Sequence, residues 1–199
     1  MTFNRVKFWN DPEGSEEAPH LSYSCKPEFY LDLVNVSKMW TATMKQYAKP
    51  TDSILEIGCG TGRNLVALQE AGFSKVGGVE ISERTIEMGR DHFPAYKDIE
   101  VTNAPIEECA NDLGEYDVIY TSGLLMHIPP EHEWVYEVIA KKARRLIVTC
   151  EGEISECENA WPRNYKDVFE ALGWQQVEME HCDKYPPLPH STIKRVFIR

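Results

Sequence analysis

The chain has 199 residues, 21 Lys and Arg against 32 Asp and Glu, and a formal net charge of -11. That length suits one domain with one sizeable core, and the negative charge repels a phosphate backbone, so no nucleic-acid partner is expected. No run approaches the roughly 18 apolar residues of a membrane span, and the N-terminus is too polar for a secretory signal, so no membrane partner and a cytoplasmic location are expected. The six cysteines, Cys25, Cys59, Cys109, Cys150, Cys157 and Cys182, lack C-x-x-C pairing, and reduced thiols are the expectation.

Residues 1–26 carry Pro12, Gly14 and Pro19 without sustained periodicity, which predicts an arm or lid, separate from a single domain over 27–199. From Pro27, the residues Phe29, Leu33, Val36, Trp40, Met44 and Tyr47 recur at three- and four-residue steps and predict one amphipathic helix ended by Pro50. The tract ILEIGCGTGRNL, from Ile54 to Leu65, then passes from an apolar strand through Gly58, Gly60 and Gly62 into a helix, with Glu56 two residues before the first glycine. Such glycines let the chain turn sharply while a ligand packs against bare backbone. A dinucleotide loop reads G-x-G-x-x-G; here the third glycine comes one residue early. After the helix Asn64 to Ala71, the strand Lys75 to Glu80 closes on a carboxylate eighteen residues past Gly62, placed to accept from both hydroxyls of a ribose.

These residues resemble the class I S-adenosylmethionine-dependent methyltransferases, whose pattern is an acidic residue, then x-G-x-G-x-G, then a second acidic strand end. The resemblance implies an α/β, Rossmann-like doubly wound, mostly parallel seven-stranded sheet with an antiparallel last strand and helices on both faces. It implies S-adenosyl-L-methionine as cofactor, with Gly58, Cys59, Gly60 and Gly62 around its methionine portion, Glu56 on its polar end, and Glu80 with Ile81 at its ribose. In related enzymes a helix before the first strand roofs the cofactor, which makes Tyr23 and Tyr30 candidate ligand contacts; core packing is the alternative.

Ser82 caps the next helix, and Pro94 lies just beyond its end. The third strand, Ile99 to Thr102, ends at Asn103 and Ala104, where the family places a polar side chain on the adenine amine and an apolar neighbour on the ring. Asn103 stands for the commoner aspartate, and its amide oxygen can still accept; an ordinary turn residue is the other reading. Tyr116 to Tyr120 reads as a buried central strand, and Thr121 at its end joins the implied cofactor set. The tract to Pro130 then leads from the carboxyl edge of the sheet, where open parallel sheets bind ligands, into a helix begun by Pro130 and Glu131. His127 therefore falls near the reaction, with an ordinary pKa of about 6.5 that suits a base; the alternative is a histidine that only ties its loop to backbone. Leu124 to Pro130 resembles the L-x-H-I/L-x-P stretch of small-molecule methyltransferases, including methylases associated with pseudaminic acid and other nonulosonic sugars. The [DNS]-P-P-[FYW] motif of base-amino methyltransferases is missing. Lys141, Lys142, Arg144 and Arg145 are expected at a helix C-terminus, offsetting its dipole.

Leu146 to Cys150 predicts the fifth strand. In the acidic loop after it, Glu151 and Glu153 either face solvent or hold an amine or polyhydroxylated substrate. A helix from Asn164 to Leu172 and strands Trp174 to Glu180 and Ile193 to Ile198 complete the chain. The proline-rich segment between those strands is expected to extend over the substrate side, with Tyr185 and His190 as acceptor contacts, or else to blunt a sheet edge. The resemblance implies in-line methyl transfer to an oxygen or nitrogen of a small polar molecule, such as a sugar or amine, with His127 as base. No metal is expected, since His127, His132 and scattered carboxylates form no recognisable ligand triad. The alternative function is a non-catalytic S-adenosylmethionine-binding module that acts through a protein partner.

Overall fold

Strands β1 (Ser53–Ile57), β2 (Lys75–Glu80), β3 (Glu100–Asn103), β4 (Tyr116–Ser122), β5 (Ala143–Gly152), β6 (Gln175–His181) and β7 (Thr192–Ile198) form one sheet in the order β3-β2-β1-β4-β5-β7-β6. The computed structural model describes residues 5–10, 26–154 and 160–199. The first five strands are parallel, and β7 runs antiparallel to both β5 and β6, so β7 alone opposes the rest. This is the mostly parallel, seven-stranded sheet with an antiparallel final strand that the sequence predicts.

The helices are α1 (Arg5–Asn10), α2 (Pro27–Leu31), α3 (Val34–Tyr47), α4 (Arg63–Glu70), α5 (Glu83–His92), α6 (Ile106–Cys109), α7 (Trp134–Lys142) and α8 (Tyr165–Ala171). Side chains alternate across a strand, so β1, β4, β5 and β7 each feed two cores. Ile54, Val118, Tyr120, Leu146, Val148 and Val196 meet Val36, Met39, Trp40 and Met44 of α3 on one face. Leu55, Ile57, Ile119, Ile147 and Phe197 meet Val135 and Ile139 of α7 and Phe169 of α8 on the other. Burial of this kind on both faces is why the central strands read as unbroken apolar runs. Among the described residues no helix is long and apolar enough to cross a membrane.

Three elements differ from the sequence reading. The helix predicted from Pro27 breaks at Asp32 and Leu33 into α2 and α3, because Leu33 leaves helical geometry (ψ 54°) and its carbonyl accepts from Arg63 Nη1 and from the amides of Val36 and Ser37. A tertiary contact here overrides a continuous apolar stripe. The helix expected at Pro130 is first a 3-10 turn, Pro130–His132, and α7 begins only at Trp134. The basic cluster splits: Lys141 and Lys142 end α7, while Arg144 and Arg145 lie on β5 and pair with Glu115, Asp117 and Asp52.

Helix α5 fixes the height of the loop above β1. Ser82 caps it, its Oγ accepting from Thr85 N at 3.2 Å, and Gly89 packs so closely that a Cβ there would lie 2.2 Å from the Thr61 carbonyl oxygen. Replacing a mid-helix glycine by alanine ordinarily gains about 0.5–1 kcal/mol, whereas overpacking against backbone costs about 1–3 kcal/mol. The second effect wins at this position. Gly89→Ala is expected to lower stability by about 1–2 kcal/mol, read as a reduced urea midpoint with an unchanged m-value.

Candidate cofactor-binding site

Past β1 the chain turns through Gly58, Gly60 and Gly62, all at positive φ (76°, 54° and 70°). The amides of Gly58 and Cys59 donate to the Val79 carbonyl at 2.8 and 3.0 Å, which staples the turn to β2. Two of the glycines do different work. At Gly62 a Cβ would lie 2.2 Å from the ring of Tyr96, and the Tyr96 hydroxyl donates to the Gly60 carbonyl at 3.2 Å, so an aromatic ring supports the turn from below. At Gly60 a Cβ would meet nothing within 4 Å, so this is the open side of the turn, where a ligand can approach main chain.

Two buried carboxylates flank that opening. Glu80, 8% exposed, accepts from Gly60 N at 2.8 Å and from Ser82 N at 2.9 Å; burial nevertheless raises its pKa above the ordinary value. Glu56, 1% exposed, accepts from Asn64 Nδ2 and from the Tyr120 hydroxyl, each at 2.8 Å, and Ser37 Oγ donates to Asn64 Oδ1 at 3.1 Å. Burial pushes Glu56 from 4.5 to about 7 against those hydrogen bonds and the nearby charge of Arg63. Arg63 is itself pushed down to about 10 by burial. Trp40 lies at 4.5 Å on the Tyr120 ring, and its Nε1 has no hydrogen-bond partner among the described residues.

Asn103 sits at the tip of β3, its Nδ2 donating to the carbonyls of Glu80 (2.9 Å) and Ile81 (3.2 Å), which leaves Oδ1 as an acceptor. Ala104 N also donates to the Glu80 carbonyl, at 3.1 Å, so Glu80, Ile81, Asn103 and Ala104 form one corner beside the turn. Two members of the implied cofactor set are turned to other work. Cys59 is buried with its Sγ against Gly78 and 3.3 Å from the Tyr96 hydroxyl, so only its backbone belongs to the turn. Thr121 Oγ1 donates to Glu151 Oε1 at 2.8 Å on the opposite face of the sheet from Glu56.

His127 ends the 3-10 turn Leu125–His127. That turn is held from beneath: Glu151, fully buried, accepts from Thr121 Oγ1, from Met126 N at 3.4 Å and from the amides of Leu124 and Leu125. Burial pushes Glu151 to about 7. Trp161 N donates to the Met126 carbonyl at 2.7 Å, bringing the segment before α8 alongside. The His127 ring meets Trp9 of α1 edge-on at 5.3 Å, and α1 also packs on α5. The arm expected from composition thus contains a helix, with Phe8 buried, lying between α5 and the His127 turn.

The acceptor contacts expected from sequence are mostly not brought together. Glu151 is internal and engaged, as described. Glu153 is clamped by Arg195, whose Nε and Nη2 donate to its two oxygens at 2.7 Å. Tyr185 packs beside the α3 core at the β6–β7 end of the sheet, under the Lys184 ammonium at 5.2 Å. His190 stacks at 4.0 Å on His181 and bonds Asp183 Oδ2 at 2.9 Å. Tyr30 lies on α2 near Arg63, close to the glycine turn. Tyr23 falls outside the described residues.

Sequence reading missed Asn64, Tyr96, Tyr120 and Trp9. Tyr120 had a signal: it is in register with Glu56 on the neighbouring strand and so shares its face. Asn64 directly follows the turn, but nothing local marks it as a carboxylate partner. Tyr96 and Trp9 reach the site only through tertiary packing.

A seven-stranded sheet of this order with a glycine turn and two carboxylates at its carboxyl edge defines a nucleoside-cofactor α/β domain. Residues 54–146 match the family model described as a methyltransferase domain. Ribosomal protein L11 methyltransferase of Thermotoga maritima is 30% identical over 56 residues, 28% of this chain; the match spans only 21% of that protein's length. Magnesium protoporphyrin IX methyltransferase of Synechocystis PCC 6803, solved with bound S-adenosylhomocysteine, superposes with a TM-score of 0.68 at 14% identity, over 90% of this chain and 88% of the other. A Haloferax volcanii methyltransferase chain solved in complex with the Trm112 methyltransferase activator gives a TM-score of 0.69 at 13% identity, over 100% and 99% of the two chains. Over residues 54–146 the chain matches a methyltransferase domain, and its fold is the one shared by the S-adenosylmethionine-dependent methyltransferases.

The two carboxylates at about 7 set a pH dependence of stability. Their folded pKa values lie above the ordinary 4.5, so the fold favours the neutral forms; that contribution is complete below about pH 4.5 and is lost as pH rises through about 7. Each is worth at most about 3 kcal/mol at about 1.4 kcal/mol per unit. The urea midpoint should fall between about pH 5 and pH 8, and Glu151→Gln should flatten part of that fall. A midpoint that rises across the interval, or an unchanged slope in the variant, contradicts the assignment.

Proposed function

We propose that this chain moves a methyl group from S-adenosylmethionine to an oxygen or nitrogen of a small molecule held against the His127 turn. The observation that carries the reading is the open face of Gly60 set between the buried carboxylates of Glu56 and Glu80. A cationic amino-acid and ribose ligand suits that set: Glu56 gains an opposite charge that offsets its burial, and Glu80 keeps acceptor capacity beyond its bonds to the amides of Gly60, Ile81 and Ser82. Asn103 Oδ1 is available to an adenine amine. When bound, the cofactor supplies a methyl group on a positively charged sulfur. The protein's own share is to orient the acceptor and exclude water, worth on the order of 7 to 11 kcal/mol of barrier when alignment is close. For an acceptor that must lose a proton, His127 is the base, adding about 100-fold or more.

The acceptor side supports a different recognition from the acid-lined one expected from sequence. With Glu151 and Glu153 both engaged internally, the residues grouped at the turn are His127, Trp9, Met126 and Trp161. These favour an acceptor with a flat or apolar body carrying the nucleophilic atom. A second reading, a methyltransferase working with a protein activator, draws support from the likeness to the Haloferax volcanii chain solved with Trm112.

Calorimetry tests the cofactor reading. S-adenosylmethionine and S-adenosylhomocysteine should bind with Kd on the order of micromolar, and Glu80→Ala should weaken both by about tenfold or more. Binding of S-adenosylmethionine near neutral pH should release a proton, seen as a heat that varies with buffer ionisation, because Glu56 ionises beside the cation. His127→Ala should leave both affinities within about twofold while turnover on phenolic and aromatic-amine acceptors falls about 100-fold or more. Absence of cofactor binding refutes the reading. Binding without turnover on any acceptor, until a protein partner is added, favours the second.

A further inference from the structure

The cysteines carry no pairing motif in the sequence, yet the sheet brings two of them together. Cys150 near the end of β5 is in register with Lys194 of β7, and His181 of β6 is in register with Ile193, which sets Cys182 beside Cys150. Their sulfurs are 3.6 Å apart and both residues are buried. A disulfide needs about 2.05 Å, so about 1.5 Å of approach closes the gap.

Two buried thiols are often only small apolar packing groups, but two observations set this pair apart. The first is its electrostatic asymmetry. The two sulfurs share a hydrogen bond in which either can donate; Cys182 also accepts from the Lys194 backbone amide and lies near the Lys194 ammonium, and its thiol is lowered while that of Cys150 is raised by the shared hydrogen bond and by burial. That ammonium is fixed at 3.1 Å from Thr43 Oγ1 and within 2.9 Å of Glu178 and Glu180. An attacking thiolate beside a resolving thiol is the arrangement found in redox-sensing cysteines. The second is location: Cys182 opens the 3-10 turn Cys182–Lys184, followed by the exposed residues Asp183, Lys184, Pro186 and Pro187. Opening so short a turn costs much less than unfolding the sheet and gives a small oxidant its path.

We propose that Cys150 and Cys182 form an oxidation site that a hydroperoxide closes to a disulfide, tying the turn after β6 to the end of β5. The Cys182 sulfur attacks a peroxide oxygen and the O–O bond breaks. Cys182 becomes a sulfenic acid, and water or an alcohol departs with the Cys182 proton. The Cys150 sulfur then attacks Cys182 Sγ, the S–O bond breaks, and the departing hydroxide leaves as water with the Cys150 proton. Two thiols are oxidised by two electrons and one peroxide is reduced; a dithiol reverses the change. The bond forms one residue before Glu151, the carboxylate beneath the His127 turn, on the opposite face of the sheet from it.

The experiment exposes the full chain to a small excess of hydrogen peroxide, blocks free thiols with N-ethylmaleimide and maps peptides without reductant. The expected result is one peptide pair joined through Cys150 and Cys182, lost on dithiothreitol; this needs no variant and so is independent of how substitutions fold. In Cys150→Ser, Cys182 should be captured as a sulfenic acid by a 1,3-dione, and in Cys182→Ser, Cys150 should remain a thiol. Recovery of both cysteines as blocked thiols in the wild type overturns the proposal. So does Cys182 advancing to a sulfinic acid unlinked, or a link from either residue to another cysteine.

Discussion

The carboxyl edge of this sheet is organised by the cost of burying carboxylates. Glu56, Glu80 and Glu151 stand at the ends of β1, β2 and β5, each under a tenth exposed. A carboxylate taken out of water must be hydrogen-bonded or lose its charge. Each of the three therefore recruits its surroundings: Glu80 fixes the Gly60 amide, Glu56 fixes Asn64 and Tyr120, and Glu151 fixes Thr121 and the turn that ends in His127. The shape of the site is the set of donors these groups require. Glu56 and Glu151 are still pushed to about 7, which leaves them short of full compensation. For Glu56, beside the open face of Gly60, that deficit is what the cationic ligand of the proposed function would relieve.

The cofactor half of the site was legible because its determinants are local. Glu56, the glycine turn, Glu80 and Asn103 fall within fifty residues, and each lies in the last two positions of a strand or in the turn that follows one. A strand end needs no distant information to be found: an apolar run stops and a glycine or capping residue follows. The order of the sheet came with the family resemblance, since strand spacing alone does not choose neighbours. Even the partner of Glu56 follows once β1 is laid against β4, because Glu56 and Tyr120 are then opposite each other on one face.

The acceptor half was not legible, and Glu153 shows why. In the sequence it belongs to an acidic loop that looks available to a ligand; in the structure it meets Arg195, 42 residues on, which β7 carries alongside β5 opposite Thr149. The antiparallel return of the last strand decides the fate of that charge, and no local pattern encodes it. Trp9 is the same problem from the other end of the chain. A tryptophan in a polar arm carries no periodicity, yet packing places its ring against His127.

These two halves are held by different kinds of contact. The glycine turn is held by backbone bonds to β2, by Tyr96 beneath it and by Gly89 of α5 against Thr61, all rigid elements. The His127 turn is held by the Glu151 carboxylate, by the Tyr136 hydroxyl on the Leu125 carbonyl, by an amide bond from Trp161 and by ring contact with a six-residue helix. On the function proposed above, the glycine turn would hold the cofactor and the contacts at Met126, His127, Trp9 and Trp161 would set the acceptor, so the chemistry could stay constant while the acceptor varies. Glu151 then matters beyond stability, because its carboxylate accepts from the amides of the turn that ends in His127.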